Sequence, residues 1–264
     1  RRCSFVRSTE QQVSRMLYRL QVLRSGLLSP HFVSSLSSSS TCRSSLTREP
    51  RHTMSSGTGA DPAGAILDAC HFAAEKHITQ RRKGDGAPYI NHPIGVAHIL
   101  WKEGSVRDVE VLQAAVLHDT VEDTETTFAE LEARFGARVR SLVAEVSDNK
   151  KLTKVERKKY QVEHAGQSSE GARLIKLADK LYNCRDLLSV PPRGWSLARI
   201  QGYFVWSRKV IEALYGTNEA LEELHRQLWT QNITWEGVAQ PIIPDGDREQ
   251  LLKDYYHSLV NVDD

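Results

Sequence analysis

The chain has 264 residues, with 35 Lys+Arg against 33 Asp+Glu, 40% hydrophobic residues and 7% aromatics. That length suits one large or two small domains, and a formal charge of +2 excludes both a uniformly basic nucleic-acid coat and an acidic disordered chain. No apolar run approaches the roughly 20 residues of a membrane-spanning helix, and Cys3, Cys42, Cys70 and Cys184 form no CxxC pair, which argues against a disulfide scaffold or zinc ribbon and for a reducing compartment.

The charge is unevenly spread. Residues 1–53 hold nine Arg, no Lys and only Glu10 and Glu49 as acids, a balance of +7, so the remainder carries −5. This segment is rich in serine, lacks an apolar period and reads as disordered. Its composition resembles an organelle transit peptide, whereas Met54-Ser-Ser-Gly resembles an ordinary start. The favoured expectation is upstream read-through and a cytoplasmic protein; a genuine transit segment implies a mitochondrial one.

From Asp61 the pattern turns helical. Asp61-Pro62 supplies an N-cap and a first-turn proline, followed by Ile66, Cys70, Ala73 and His77 on one face. Pro93 opens a second helix with Ile94, Ala97 and Trp101 on one side. A third runs from about Asp108 through Val111, Leu112, Ala115 and Val116. Thr127 to Glu130 has the spacing of a capping box, and Gly136 ends the helix bearing Phe128, Leu131 and Phe135. Leu142, Val143 and Val146 lead into a charged run from Lys150 to Lys159. Ile175, Ala178 and Tyr182 mark another helix, Ser196 begins a long one, and Leu221, Leu224 and Leu228 complete a further face. The expectation is an all-α bundle of about 8–10 helices over residues 54–232. Residues 233–264 form a C-terminal extension, read as loop with a short helix near Gln250 to Leu259.

The chemistry gathers at Leu117-His-Asp-Thr-Val-Glu-Asp123. Continuing the buried stripe of the third helix lands on Asp119, Glu122 and Asp123, with His118 beside them. Buried carboxylates are costly unless paired or metal-bound. A helix break at Asp119, with the acids solvated, stands as the competing account. Asp179 also lies at the edge of an apolar helix face, with Asn183 one turn on, and His92 stands just before Pro93. Two imidazoles and two carboxylates suit a divalent ion such as Mn, Fe, Co or Zn.

Three stretches, Gly86-Ala-Pro-Tyr-Ile-Asn-His-Pro93, His118-Asp-Thr-Val-Glu-Asp123 and Lys176-Leu-Ala-Asp-Lys-Leu-Tyr-Asn183, resemble the HD superfamily of metal-dependent phosphohydrolases. Within it they are similar to the hydrolase domain of the RelA/SpoT family, especially its small, hydrolase-only animal branch. The resemblance covers about residues 60–230. It implies an HD-domain bundle holding one Mn²⁺ ion through His92, His118, Asp119 and Asp179, with Glu122 and Asp123 as the catalytic acidic pair. It also implies removal of the 3′-pyrophosphate of (p)ppGpp to give GDP or GTP, with a further 2′-phosphatase activity on NADPH. Arg82, Lys83, Lys154, Asn183, Trp195, Arg199 and Tyr203 match positions near the family's substrate. On residue type alone, Trp195 and Tyr203 read as core and Lys154 as a solvated face. His71, His77, His98 and His164 match no motif position and read as packing or surface residues. The implied partner is a phosphorylated nucleotide, with no nucleic acid or membrane. A hydrolase for another nucleotide and a catalytically silent binding module are the alternatives.

Overall fold

The structure, a computed structural model, describes residues 61–260. The expectations for residues 1–53 therefore lie outside the described residues. Asp61 caps α1 (Pro62–Lys76) by accepting the Ala63 amide at 3.1 Å, with Pro62 in the first turn. Next come α2 (Asn91–Lys102), α3 (Val109–Leu117), the single turn α4 (Thr120–Asp123), α5 (Phe128–Phe135) and α6 (Ala137–Val146). Then follow α7 (Lys154–His164), a short 3-10 turn, α8 (Glu170–Ser189), α9 (Leu197–Glu212) and α10 (Glu219–Trp229). A hairpin of β1 (Asn232–Trp235) and β2 (Val238–Pro241) precedes α11 (Arg248–Ser258).

Past Glu110 the sequence of α3 is apolar except for Gln113, and every residue from Val111 to Leu117 is buried. That helix is the central post. α1, α2 and α6 pack around it, and α8 closes the bundle against α2, α6 and α10. The approach of α2 to α8 depends on Gly95: a Cβ there would stand 2.1 Å from the Tyr182 ring. Tyr182 in turn packs edge-on against His92, with ring centroids 4.9 Å apart. A glycine thus sets where a site imidazole rests.

One expected cap differs from the structure. Thr127 does accept the Glu130 amide, but Glu130 turns away to pair with Lys76 at 2.8 Å, so the reciprocal half of the box is missing. The complete capping box lies instead at Thr153 and Glu156, where α7 begins. The tail also differs. Where a loop is expected after Trp235, β2 folds back on β1, and Ile242 and Ile243 are buried, as is Ile233 of β1. The helix foreseen near Gln250 is present as α11 and packs along α9. Gly202 permits that approach, since a Cβ there would lie 2.5 Å from the Tyr255 Cβ and 2.9 Å from the Leu251 carbonyl. Tyr255 is buried against the rings of Tyr203 and Trp206.

Candidate functional site

The third helix does not run through the acids. It ends at Leu117, His118 serves as its C-cap and Asp119 as the N-cap of α4. Thr120 holds the break, its hydroxyl donating to the Leu117 carbonyl at 2.7 Å. This corrects the continuous-helix expectation but not its consequence. The break turns His118 and Asp119 toward one point, with His118 Nε2 and Asp119 Oδ2 3.1 Å apart. His92, buried in the first turn of α2, brings its Nε2 to 3.3 Å from both Asp119 Oδ2 and Asp179 Oδ1. Asp179, from α8, also lies 3.8 Å from His118 Nε2.

These spacings fit atoms that share one cation at roughly 2.1 Å each. His92, His118 and Asp119 form a metal site, each with a ligand atom within 4.8 Å of the others. Two further observations support the fit. His118 Nδ1 lies 2.8 Å from the Ala115 carbonyl, which orients the ring, while its buried Nε2 has no hydrogen-bond partner. Burial opposes protonation of His118, yet Asp119 and Asp179 hold its pKa up to about 9. Burial likewise acts to raise both aspartates, but His118 and His92 on Asp119, and Lys180 and His92 on Asp179, carry them well below the carboxylate range. The cluster demands positive charge at its centre. Tyr89 fixes the ligand geometry further by donating its hydroxyl to Asp119 Oδ2 at 2.6 Å.

The metal site lies in an inner chamber of about 150 Å³ walled by all four of these residues and by Tyr89, Glu122, Asp148, Asn183 and Tyr203. Tyr89, Glu122, Asn183 and Tyr203 also line a larger outer cleft of about 590 Å³. Cations ring that cleft: Arg81, Arg82, Lys83, Lys150 and Arg157, with Trp195 adding a third aromatic face. Arg82 lies 5.6 Å from the ring centroids of both Tyr89 and Tyr182, and donates to Asn183 Oδ1 at 3.1 Å and Asp186 Oδ2 at 2.6 Å.

Glu122 and Asp123 divide between the two spaces. Glu122 faces both; the Asp148 amide donates to it at 3.1 Å and Arg157 stands 3.6 Å away. Burial, with Asp148 nearby, pushes the Glu122 carboxyl up to about 7. Asp123 lines the outer cleft, accepting the Gln80 amide at 2.9 Å, with Lys150 at 3.7 Å. Of the expected substrate-facing residues, Arg82, Lys83, Asn183, Trp195 and Tyr203 line the cleft, while Lys154 and Arg199 are not among its lining residues. Arg199 stands over Trp195, 4.4 Å from the ring centroid. Gln80, Tyr89, Lys150 and Arg157 were not singled out from the sequence, although Tyr89 sits inside one of its recognised motifs. His77 is a packing residue as expected, buried and bonded to Gln80 at 2.6 Å.

A helical bundle that closes on a buried His–His–Asp metal site beneath a cationic cleft defines a metal-dependent phosphohydrolase class of protein. The family model for the HD domain matches residues 69–203. The mouse guanosine-3′,5′-bis(diphosphate) 3′-pyrophosphohydrolase MESH1 is 58% identical over 170 residues, covering 64% of this chain and 95% of the mouse protein. The Drosophila melanogaster protein of the same name is 48% identical over 171 residues, covering 63% and 96%. A solved structure described as a metazoan ortholog of SpoT that hydrolyzes ppGpp aligns with a TM-score of 0.63 at 46% identity, covering 65% of this chain and 97% of that one. The chain belongs to the HD-domain family, in the branch of these MESH1 proteins.

Proposed function

We propose that this protein hydrolyses the 3′-pyrophosphate of (p)ppGpp, using one Mn²⁺ ion held by His92, His118, Asp119 and Asp179. The observation that carries this reading is the junction of a two-His, two-Asp donor set with a nucleotide-sized, cation-lined cleft through Glu122 and Asn183. A mixed nitrogen and oxygen set suits a first-row divalent ion better than a thiolate-preferring one. When bound, the ion supplies Lewis acidity toward a phosphoryl oxygen and acidifies water.

The chain's own groups do the rest. Glu122, with a carboxyl near neutral, takes a proton from the attacking water, and the Asp148 amide and Arg157 keep it aimed. The water oxygen bonds to the phosphorus attached to O3′, the P–O3′ bond breaks and pyrophosphate departs. O3′ regains a proton on the cleft side, where Asp123 stands. Arg82, Lys83 and Lys150 hold the 5′-phosphates, and Trp195 and Tyr203 supply faces for the base.

NADPH is a second substrate in this reading. Asn183 and Asp186, the amide and carboxylate beside the cleft's Arg82, are already engaged with Arg82 and Asp179. Base recognition therefore falls to stacking, which tolerates adenine as well as guanine. The test is turnover by metal-stripped protein on addition of Mn²⁺, with ppGpp, NADPH and GTP compared. Pyrophosphate release from ppGpp is expected to lead. Turnover of GTP alone would favour another nucleotide, and Mn²⁺-independent binding without turnover would favour a silent binding module.

A further inference from the structure

The chamber that holds the metal site also carries three ammonium groups beside its four carboxylates, Asp119, Glu122, Asp148 and Asp179. Lys158 from α7 and Lys176 and Lys180 from α8 all line it. The Lys158 and Lys180 ammonium groups lie 4.1 and 5.2 Å from the centroid of one indole, the fully buried Trp206. Trp206 is locked in turn, its indole N–H donating to the Lys158 carbonyl at 2.9 Å.

Each chamber carboxylate has a partner without calling on Lys158 or Lys176. Asp119 has His92, His118 and Tyr89, and Glu122 has the Asp148 amide and Arg157. Gln161 donates to Asp148 at 2.8 Å, while Lys180 and Asn183 donate to Asp179 at 2.7 and 2.6 Å. Lys176 donates to the Glu145 carbonyl at 2.7 Å, which leaves two of its N–H groups. The Lys158 ammonium has the Trp206 face and, among the described residues, no carboxylate at ion-pair distance. A divalent cation at the centre would bring the positive charges of ion and lysines to five, against four carboxylates. Ammonium groups half withdrawn from water with no carboxylate beside them, as Lys158 and Lys176 are, carry a desolvation cost that an incoming anion relieves.

We infer that Lys158, Lys176 and Lys180 form a pyrophosphate subsite beyond the metal centre. It takes the outer phosphate of the substrate's pyrophosphate group and then holds the departing inorganic pyrophosphate. This rests on the hydrolase reading above. The three lysines line the same chamber of about 150 Å³ as the metal site, so a phosphate held at the ion has them within the same walls. A monoester phosphate reaches only the metal centre; a pyrophosphate extends past it to the lysines. The subsite therefore distinguishes the two kinds of leaving group.

The test uses Lys158→Met and Lys176→Met in the full chain, with circular dichroism and Mn²⁺ content as controls on fold and metal. Calorimetric binding of inorganic pyrophosphate and of inorganic phosphate to the Mn²⁺-loaded protein is the primary readout. Each variant is expected to weaken pyrophosphate about tenfold or more, the scale of one charge-assisted hydrogen bond, and phosphate by less than about threefold. Lys158→Arg should restore most of the loss. The ratio of kcat/KM for a 3′-pyrophosphate over the matching 3′-monophosphate should fall by a similar factor. Equal weakening of both anions, or unchanged pyrophosphate binding in both variants, would overturn the subsite. If wild-type protein turned over neither nucleotide, the hydrolase reading would fail, and the binding comparison would still decide this one.

Discussion

The inner chamber and the outer cleft are built by opposite strategies. The chamber draws its polar groups chiefly from α2, α7, α8 and the α3–α4 break, and its carboxylates are held by protein donors. The cleft takes much of its wall from loops, with Gln80 to Gly84 on one side and Val190 to Trp195 on the other. Chemistry that tolerates little displacement is placed on rigid elements, and recognition of a larger, variable ligand is left to connecting segments. Lesions in the chamber should therefore strike metal and rate, and lesions in the cleft should strike substrate affinity.

Asp179→Ala offers the harshest way to break that division. Removing a carboxylate 3.3 Å from His92 Nε2 should cost turnover about a thousandfold, beyond the roughly 10–100-fold typical of outer-shell groups. Mn²⁺ content by atomic absorption should fall with it while the helical signal stays. A variant with full metal and full rate would remove Asp179 from the ligand set.

Glu122→Gln comes next, with an expected loss in kcat of about a hundredfold and metal retained. Its carboxyl near 7 also fixes two pH signs. The wild-type rate should climb as pH rises through about 7, and the variant should lose that limb. For stability in metal-free protein, the folded pKa lies above the ordinary 4.5, so protonated Glu122 favours the fold fully below pH 4.5. That contribution is lost as pH rises through 7, and Glu122→Gln should raise Tm at pH 8 relative to wild type. A lower Tm there would assign Glu122 a structural rather than a chemical place.

Milder changes sharpen the cleft side. Trp195→Ala should raise KM about tenfold with kcat nearly intact, the scale of one lost base-stacking face. A matching fall in kcat would show that Trp195 acts on the chamber after all. Lys154→Ala should change kcat/KM by less than about twofold, since Lys154 is not among the lining residues of the cleft or chamber. A larger effect in steady-state kinetics would bring the N-terminus of α7 into substrate binding.

The same division explains what could be read from the sequence. Asp119 and Asp179 are legible because acids interrupt otherwise apolar helical stripes, where burial makes them expensive. His92 and His118 stand out instead by their places beside Pro93 and Asp119 and by the family resemblance. Lys158 and Arg157 are hidden for the converse reason. They sit in the charged run from Lys150 to Lys159, which reads as a solvated face until α7 folds against α9 and turns them inward. The helices themselves follow from period and caps. The hairpin does not, since four-residue strands carry too little alternation to stand out from a loop.

The packing of α11 on α9 has a thermodynamic consequence. Tyr203 belongs to both neighbourhoods: its ring lines the cleft and meets Tyr255 of α11 edge-on at 6.1 Å. A ligand that steadies Tyr203 therefore also steadies the docking of the last helix, and by reciprocity a docked helix tightens that ligand by the same factor. Occupancy of the cleft should be readable from the opposite end of the chain, as slower amide exchange along Leu251 to Tyr255 when nucleotide is bound.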